Sequence, residues 1–90
     1  DPGDPGDPGD PPGDLEADFT HSCSTVWIIL LCDFDASSST GDITSYNWDF
    51  GDGGTGTGVQ TSYLYLSGSY NVTLTVTGSG GSDSVTKTVP

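Results

Sequence analysis

Positive charge is almost absent from this sequence. One basic residue, Lys87, faces 13 acidic ones, and the formal net charge is −12. Phosphate backbones would be repelled, which excludes nucleic acid as a partner, and anionic membrane surfaces are disfavoured for the same reason. Solubility of a secreted protein is the plainest use of such acidity, and it leaves cations and neutral molecules as compatible partners. Methionine is missing, and no apolar run approaches the ~20 residues that a membrane-spanning helix needs, so no membrane insertion is expected. A secretory leader pattern is missing too, which fits a processed chain or one segment of a longer polypeptide. Histidine occurs once, at His21. A lone His in a Ser/Thr-rich stretch reads as a surface residue, and no base–nucleophile set stands out elsewhere. The chain therefore reads as a scaffold or binding module and not as an enzyme, with no catalytic residue.

Proline and glycine are concentrated unevenly. Residues 1–14 read Asp-Pro-Gly three times and then Asp-Pro-Pro-Gly-Asp. Gly3, Gly6 and Gly9 have the collagen spacing, but the extra proline moves the next glycine to Gly13, and three triplets are too few for a free-standing triple helix. The segment is expected to be a polyproline-II-like tail or linker, a semi-rigid spacer with its Asp residues along one edge. Residues 15–90 are expected to form one small domain.

That domain reads as short strands with turn punctuation, and no helix-period stretch appears. Leu15, Ala17 and Phe19 alternate as a first strand. Val26 to Phe34 is a second, Ile43 to Phe50 a third, Thr55 to Gln60 a short edge strand, and Thr61 to Leu66 a fifth. Tyr70 to Thr77 alternates cleanly, with Tyr70, Val72, Leu74 and Val76 inward, and Ser82 to Val89 closes the domain. The fold class is all-β, a two-sheet sandwich. Within it, Trp48-Asp49-Phe50-Gly51-Asp52-Gly53 is the most informative run. Trp48 and Phe50 share one strand face. The glycines and Asp52 that follow supply positive-φ and side-chain-to-backbone turn chemistry.

These six residues resemble the core motif of PKD domains, the immunoglobulin-like modules of secreted and surface proteins. Phe34-Asp35-Ala36-Ser37, the approach Ile43 to Trp48, and the later pattern Tyr65, Gly68, Tyr70, Val72, Leu74 and Val76 resemble the same family in the same order. The likeness covers roughly Ala17 to Val89. It departs in two places. Tyr63 stands where the family commonly has His, and the stretch between Cys23 and Cys32 is longer and more apolar. The resemblance implies an immunoglobulin-like sandwich in an extracellular setting, with structural roles for Asp49 and Asp52. Compartment and family together favour a Cys23–Cys32 disulfide over two buried free thiols. Calcium binding by some such domains makes Asp33, Asp35 and Asp42 a candidate set, although adventitious surface acids are the plainer reading and no metal site is assigned.

Two further features bear on function. Asn71-Val72-Thr73 is an N-glycosylation sequon on an outward strand face, and Ser, Thr and the proline-rich tail offer other positions for modification. In Val26 to Leu31 both strand faces are apolar, where a sandwich strand normally has one polar face. Either this stretch folds over the end of the core, or Trp27, Ile29 and Leu31 form a patch buried by another copy. The expectation is a non-catalytic extracellular structural module, a self-associating and glycosylated subunit of a fibre or surface array. Its partners would be copies of itself and glycans. The alternative is an accessory substrate-binding or spacer module of a secreted hydrolase, in which Trp27 and Tyr63 would touch the substrate.

Overall fold

The computed structural model describes residues 15–90; the expected tail, residues 1–14, lies outside the described residues. Seven strands and no helix are found among those described. They are β1 (Thr20–Val26), β2 (Ile29–Asp35), β3 (Ile43–Asp49), β4 (Thr55–Thr57), β5 (Gln60–Leu66), β6 (Tyr70–Gly78) and β7 (Gly81–Val89). One sheet has the order β1-β2-β5 and the other β4-β3-β6-β7, all pairs antiparallel.

Alternation puts the core between the sheets. Leu30, Cys32 and Phe34 of β2 face Trp48 of β3 and Val72, Leu74 and Val76 of β6, all buried. Trp48 lies opposite Leu74 on β6 and Gly56 on β4. Its ring meets Phe19 edge-on at 5.1 Å and Phe34 at 5.4 Å, and its indole N–H donates to the Gly58 carbonyl at 2.8 Å. A buried Trp thus keeps its one polar atom satisfied. Cys23 and Cys32 are directly opposed on β1 and β2 and are disulfide-bonded. The short closed loop contributes about 2–3 kcal/mol by the loop-closure model.

Two strand assignments need correction. Leu15, Ala17 and Phe19 alternate, and Ala17 and Phe19 are buried, yet this segment is not a sheet strand. Beyond the isolated bridge Glu16–Thr40, side chains satisfy its backbone. The Ala17 N–H donates to Asp83, the Asp18 N–H to the Ser39 hydroxyl, and Lys87 donates to the Phe19 carbonyl. Ala17 meets Asp83 and Phe19 meets Lys87, so the segment follows β7 in the same direction. The second correction concerns Val26 to Phe34, which is not one strand. A hairpin closes at Val26–Ile29, with Trp27 and Ile28 as its two-residue turn. Trp27 has φ 62°, a conformation that turns of this length normally give to Gly or Asn. The turn therefore carried none of the usual Gly, Asn, Asp or Pro signals.

Truncating the central aromatic tests this core. Trp48→Ala is expected to cost about 3–5 kcal/mol, most of the stability of a domain this size, in urea unfolding of the oxidised protein.

Candidate functional site

The WDFGDG run is occupied with holding itself together. Asp49 accepts from the Gly51 N–H at 3.1 Å, and Asp52 accepts from the Gly54 N–H at 2.9 Å. Tyr63 lies flat on Phe50 at 4.1 Å and donates its hydroxyl to both Asp52 oxygens at 2.9 Å. That hydrogen bond pushes the Tyr63 phenol above its ordinary value. Gly54 leaves the space, because a Cβ there would collide with the Tyr63 hydroxyl; Gly51, at φ +88°, sits against the Asn71 carbonyl. Tyr63 is thus half-buried, with its ring and hydroxyl both engaged within the domain. Below it, the buried Tyr65 donates to the Phe50 carbonyl at 2.7 Å. Burial pushes its phenol well above the ordinary 10.0. The motif is structural in every contact it makes.

The acids at Asp33, Asp35 and Asp42 are not brought together. Asp33 and Asp35 lie on the outer face of β2, while Asp42 lies in the loop before β3. Among the described residues no three His, Cys, Asp or Glu side chains converge. Asp35 caps the turn after β2, accepting from the Ser37 N–H at 2.8 Å, and this holds its carboxyl below the usual carboxylate range. His21 is half-buried against Phe19. Lys87 bridges to Asp18 at 2.9 Å and lies over the Phe19 ring. The Lys87 hydrogen bond keeps Asp18 below its ordinary value.

The distinctive surface is the outer face of the three-stranded sheet, which is divided along its length. At one end the cross-strand rows are Thr20–Asp35–Gln60 and Ser22–Asp33–Ser62, around a shallow polar depression of about 510 Å³. At the other end the rows are Ser24–Leu31–Leu64 and Val26–Ile29–Leu66, capped by the Trp27-Ile28 turn. Trp27 is 87% exposed, and Val26, Ile28, Leu31, Leu64 and Leu66 are each 43–69% exposed. Six of the seven large exposed hydrophobic side chains of the described residues therefore sit on this one end; Val59 is the other. Trp27, Ile29 and Leu31 were the expected contact residues, but they do not share one strand face. Ile29 and Leu31 point outward from β2, whereas Trp27 projects from the turn. Val26 and Ile28 alternate with Leu30 and Phe34 as if on the core face of one continuous strand, but the turn at 27–28 breaks that alternation and leaves both exposed. The sequence reading placed neither Leu64 nor Leu66 on this surface. A usable signal was present, since Leu64 and Leu66 alternate with Tyr63 and Tyr65, leaving both faces of β5 apolar at that end.

This chain belongs to the PKD domain family, whose sequence profile matches residues 23–90. It is similar to the PKD1 domain of the Vibrio cholerae metalloprotease PrtV, at 39% identity and a TM-score of 0.59 over 81% of this chain and 90% of that one. It is also similar to the PKD1 domain of Vibrio anguillarum Epp, at 29% identity and a TM-score of 0.60 over 83% and 89%. A third similar structure comes from work on the promiscuous specificity of carbohydrate-binding modules of the β-sandwich superfamily. There the identity is 37% and the TM-score 0.75 over 88% of this chain, which spans only 35% of that one. No curated protein matches the chain. The family is one of non-catalytic modules found in secreted and surface proteins, proteases included.

Tyr65 makes the motif sensitive to alkali. Its folded-state pKa is raised, so its contribution is complete below the ordinary tyrosine value and declines as the pH rises above it. Unfolding free energy is expected to fall above about pH 10, and Tyr65→Phe to make that fall shallower. At neutral pH the same substitution should cost about 1–2 kcal/mol, because the Phe50 carbonyl loses its donor. Urea titrations across pH 8–11 check both effects.

Proposed function

We propose that this chain is a non-catalytic extracellular structural module that self-associates through the apolar end of its three-stranded sheet. The observation that carries the proposal is Trp27. The chain places the most exposed large hydrophobic side chain of the described residues on a backbone conformation that costs a non-glycine residue roughly 1–2 kcal/mol. Folding gains almost nothing from an indole that touches so little, and such outliers recur where function maintains them.

The partner that fits is a second copy. The six exposed side chains present on the order of 700 Å², close to the ~800 Å² that each partner contributes to a standard interface and above the usual largest patch of a monomer. None of them is charged, and the first acid on this face, Asp33, lies one row beyond Leu31. Two chains with a net charge of −12 can therefore meet here without opposing carboxylates, and salt should strengthen the contact by screening the rest. A face meeting its own equivalent closes as a pair. The same face meeting a different surface of the next copy grows head to tail, as a fibre or array requires. The second reading is an accessory or spacer module of a secreted hydrolase, favoured by the likeness to a domain of a metalloprotease. In that reading the apolar end packs on a neighbouring domain of the same polypeptide.

Light scattering and sedimentation of the oxidised chain test the proposal. The wild type is expected to associate with rising concentration and salt. Trp27→Gly should stay monomeric while keeping or gaining about 1 kcal/mol of stability, because glycine relieves the turn. Leu64→Asp should also be monomeric. A wild type that is monomeric at every concentration and salt level would remove the self-association reading and leave the accessory module.

A further inference from the structure

The other sheet presents a face of opposite character. Outward from β6 come Asn71, Thr73, Thr75 and Thr77, and from β7 Ser82, Ser84, Thr86 and Thr88; β3 adds Ser45, Asn47 and Asp49, and β4 Thr55 and Thr57. This face has no apolar side chain and no cation, because Lys87 points inward to Asp18. Its hydroxyls are paired across the strands: Thr73 with Thr86 at 2.7 Å, and Thr75 with Ser84 at 2.9 Å. Asn71 joins this order differently. Thr88 donates to its Oδ1 at 2.9 Å, which fixes the carboxamide plane and leaves Nδ2 without a protein partner among the described residues. One outward position further along β6 begins a shallow depression of about 330 Å³, lined by Asn47, Asp49, Thr55, Thr57, Thr73 and Thr75.

We propose that Asn71 is an N-glycosylation acceptor and that the first sugars of its glycan lie over this depression. The sequon alone is a common chance pattern, and two structural observations lift it above chance. Asn71 is exposed on an outward face that carries no bulky or apolar neighbour, and its Oδ1 is engaged while Nδ2, the atom that must be modified, has no partner among the described residues. The depression is lined by Asn47, Asp49 and four threonines over the backbone of Trp48 and Gly56, with a carboxylate and no cation. It is too negative for an anion and, with polar side chains over a partly apolar floor, suits the mixed faces of a neutral sugar. Successive outward positions on a strand are roughly 7 Å apart, so Thr73 and Thr75 fall within the span of the first sugar rings linked to Asn71.

The transfer itself needs an external transferase and a lipid-phosphate-linked oligosaccharide as donor. The bond from Asn71 Nδ2 to the anomeric carbon forms, and the bond from that carbon to the donor's phosphate oxygen breaks. Its electron pair leaves with the lipid phosphate, and Nδ2 gives up one proton. The Thr73 hydroxyl, two residues on, supplies the sequon's recognition group. This inference does not rest on self-association, which uses the opposite sheet.

The test is expression of the full chain through the secretory route of a host that N-glycosylates, followed by intact mass and glycopeptide mapping. The expected result is one glycan on the Asn71 peptide. It should be lost in Asn71→Gln and Thr73→Ala and retained in Thr73→Ser. Amide hydrogen exchange at Thr55 to Thr57 should slow several-fold in the glycosylated protein relative to Asn71→Gln. A Gly80→Asn variant, which creates a sequon in the exposed β6–β7 turn, serves as control. A bare Asn71 in a sample where that engineered site is occupied would overturn the proposal. Unchanged exchange at β4 in fully glycosylated protein would overturn the placement of the sugars.

Discussion

Trp48 couples the two sheets, and most of the molecule is arranged around that contact. Its backbone belongs to the four-stranded sheet, between β4 and β6, while its ring packs on Phe34 of the three-stranded sheet and on Phe19 of the entering segment. Its indole N–H ties the loop after β4 through the Gly58 carbonyl. Phe50, two residues on, carries the same arrangement into the turn, stacking on Tyr63 while its carbonyl receives the Tyr65 hydroxyl. Sheet-to-sheet packing, the β4 edge and the Gly-rich turn therefore draw on one aromatic cluster. A small domain has little else with which to hold two twisted sheets together.

Where local pattern and tertiary role coincided, the fold was readable. The two-residue spacing of Trp48 and Phe50, the alternation of β6 and the turn chemistry of Gly51 to Gly54 all describe what they form. Leu15, Ala17 and Phe19 show the limit of periodicity. They alternate and bury as strand residues do, but the groups that satisfy their backbone are Asp83, Ser39 and Lys87, far along the chain and outside any local window. The Trp27-Ile28 turn was hidden because a bulky residue stands where turn propensity expects glycine. A paired Cys23 and Cys32 already implied it, since a hairpin with those two residues opposed must reverse at 27 and 28. Of the candidate face, Trp27 and Leu31 were legible as apolar excess. Leu64 and Leu66 were not joined to them, because the pairing of β2 with β5 skips two intervening strands.

The two outer faces divide the molecule chemically. The three-stranded sheet leaves a cluster of large hydrocarbon side chains uncovered at its hairpin end, whereas the four-stranded sheet is paved with hydroxyls and amides. Both compositions are compatible with the same sandwich because only the inner face of each sheet is constrained by the core. The outer faces are thus free to specialise, one toward contact and the other toward solvent or sugar, without altering how the domain folds.

The single lysine has a consequence of another kind. Enzymes that cut after basic residues find one bond in this domain, Lys87–Thr88, and it lies within β7, with the lysine half-buried and its ammonium held by Asp18 and the Phe19 carbonyl. Cleavage there requires the edge strand to leave the sheet and the entering segment to release it, which is a large part of unfolding. In the folded domain, trypsin-like proteases are therefore offered no basic side chain that is free of internal contacts.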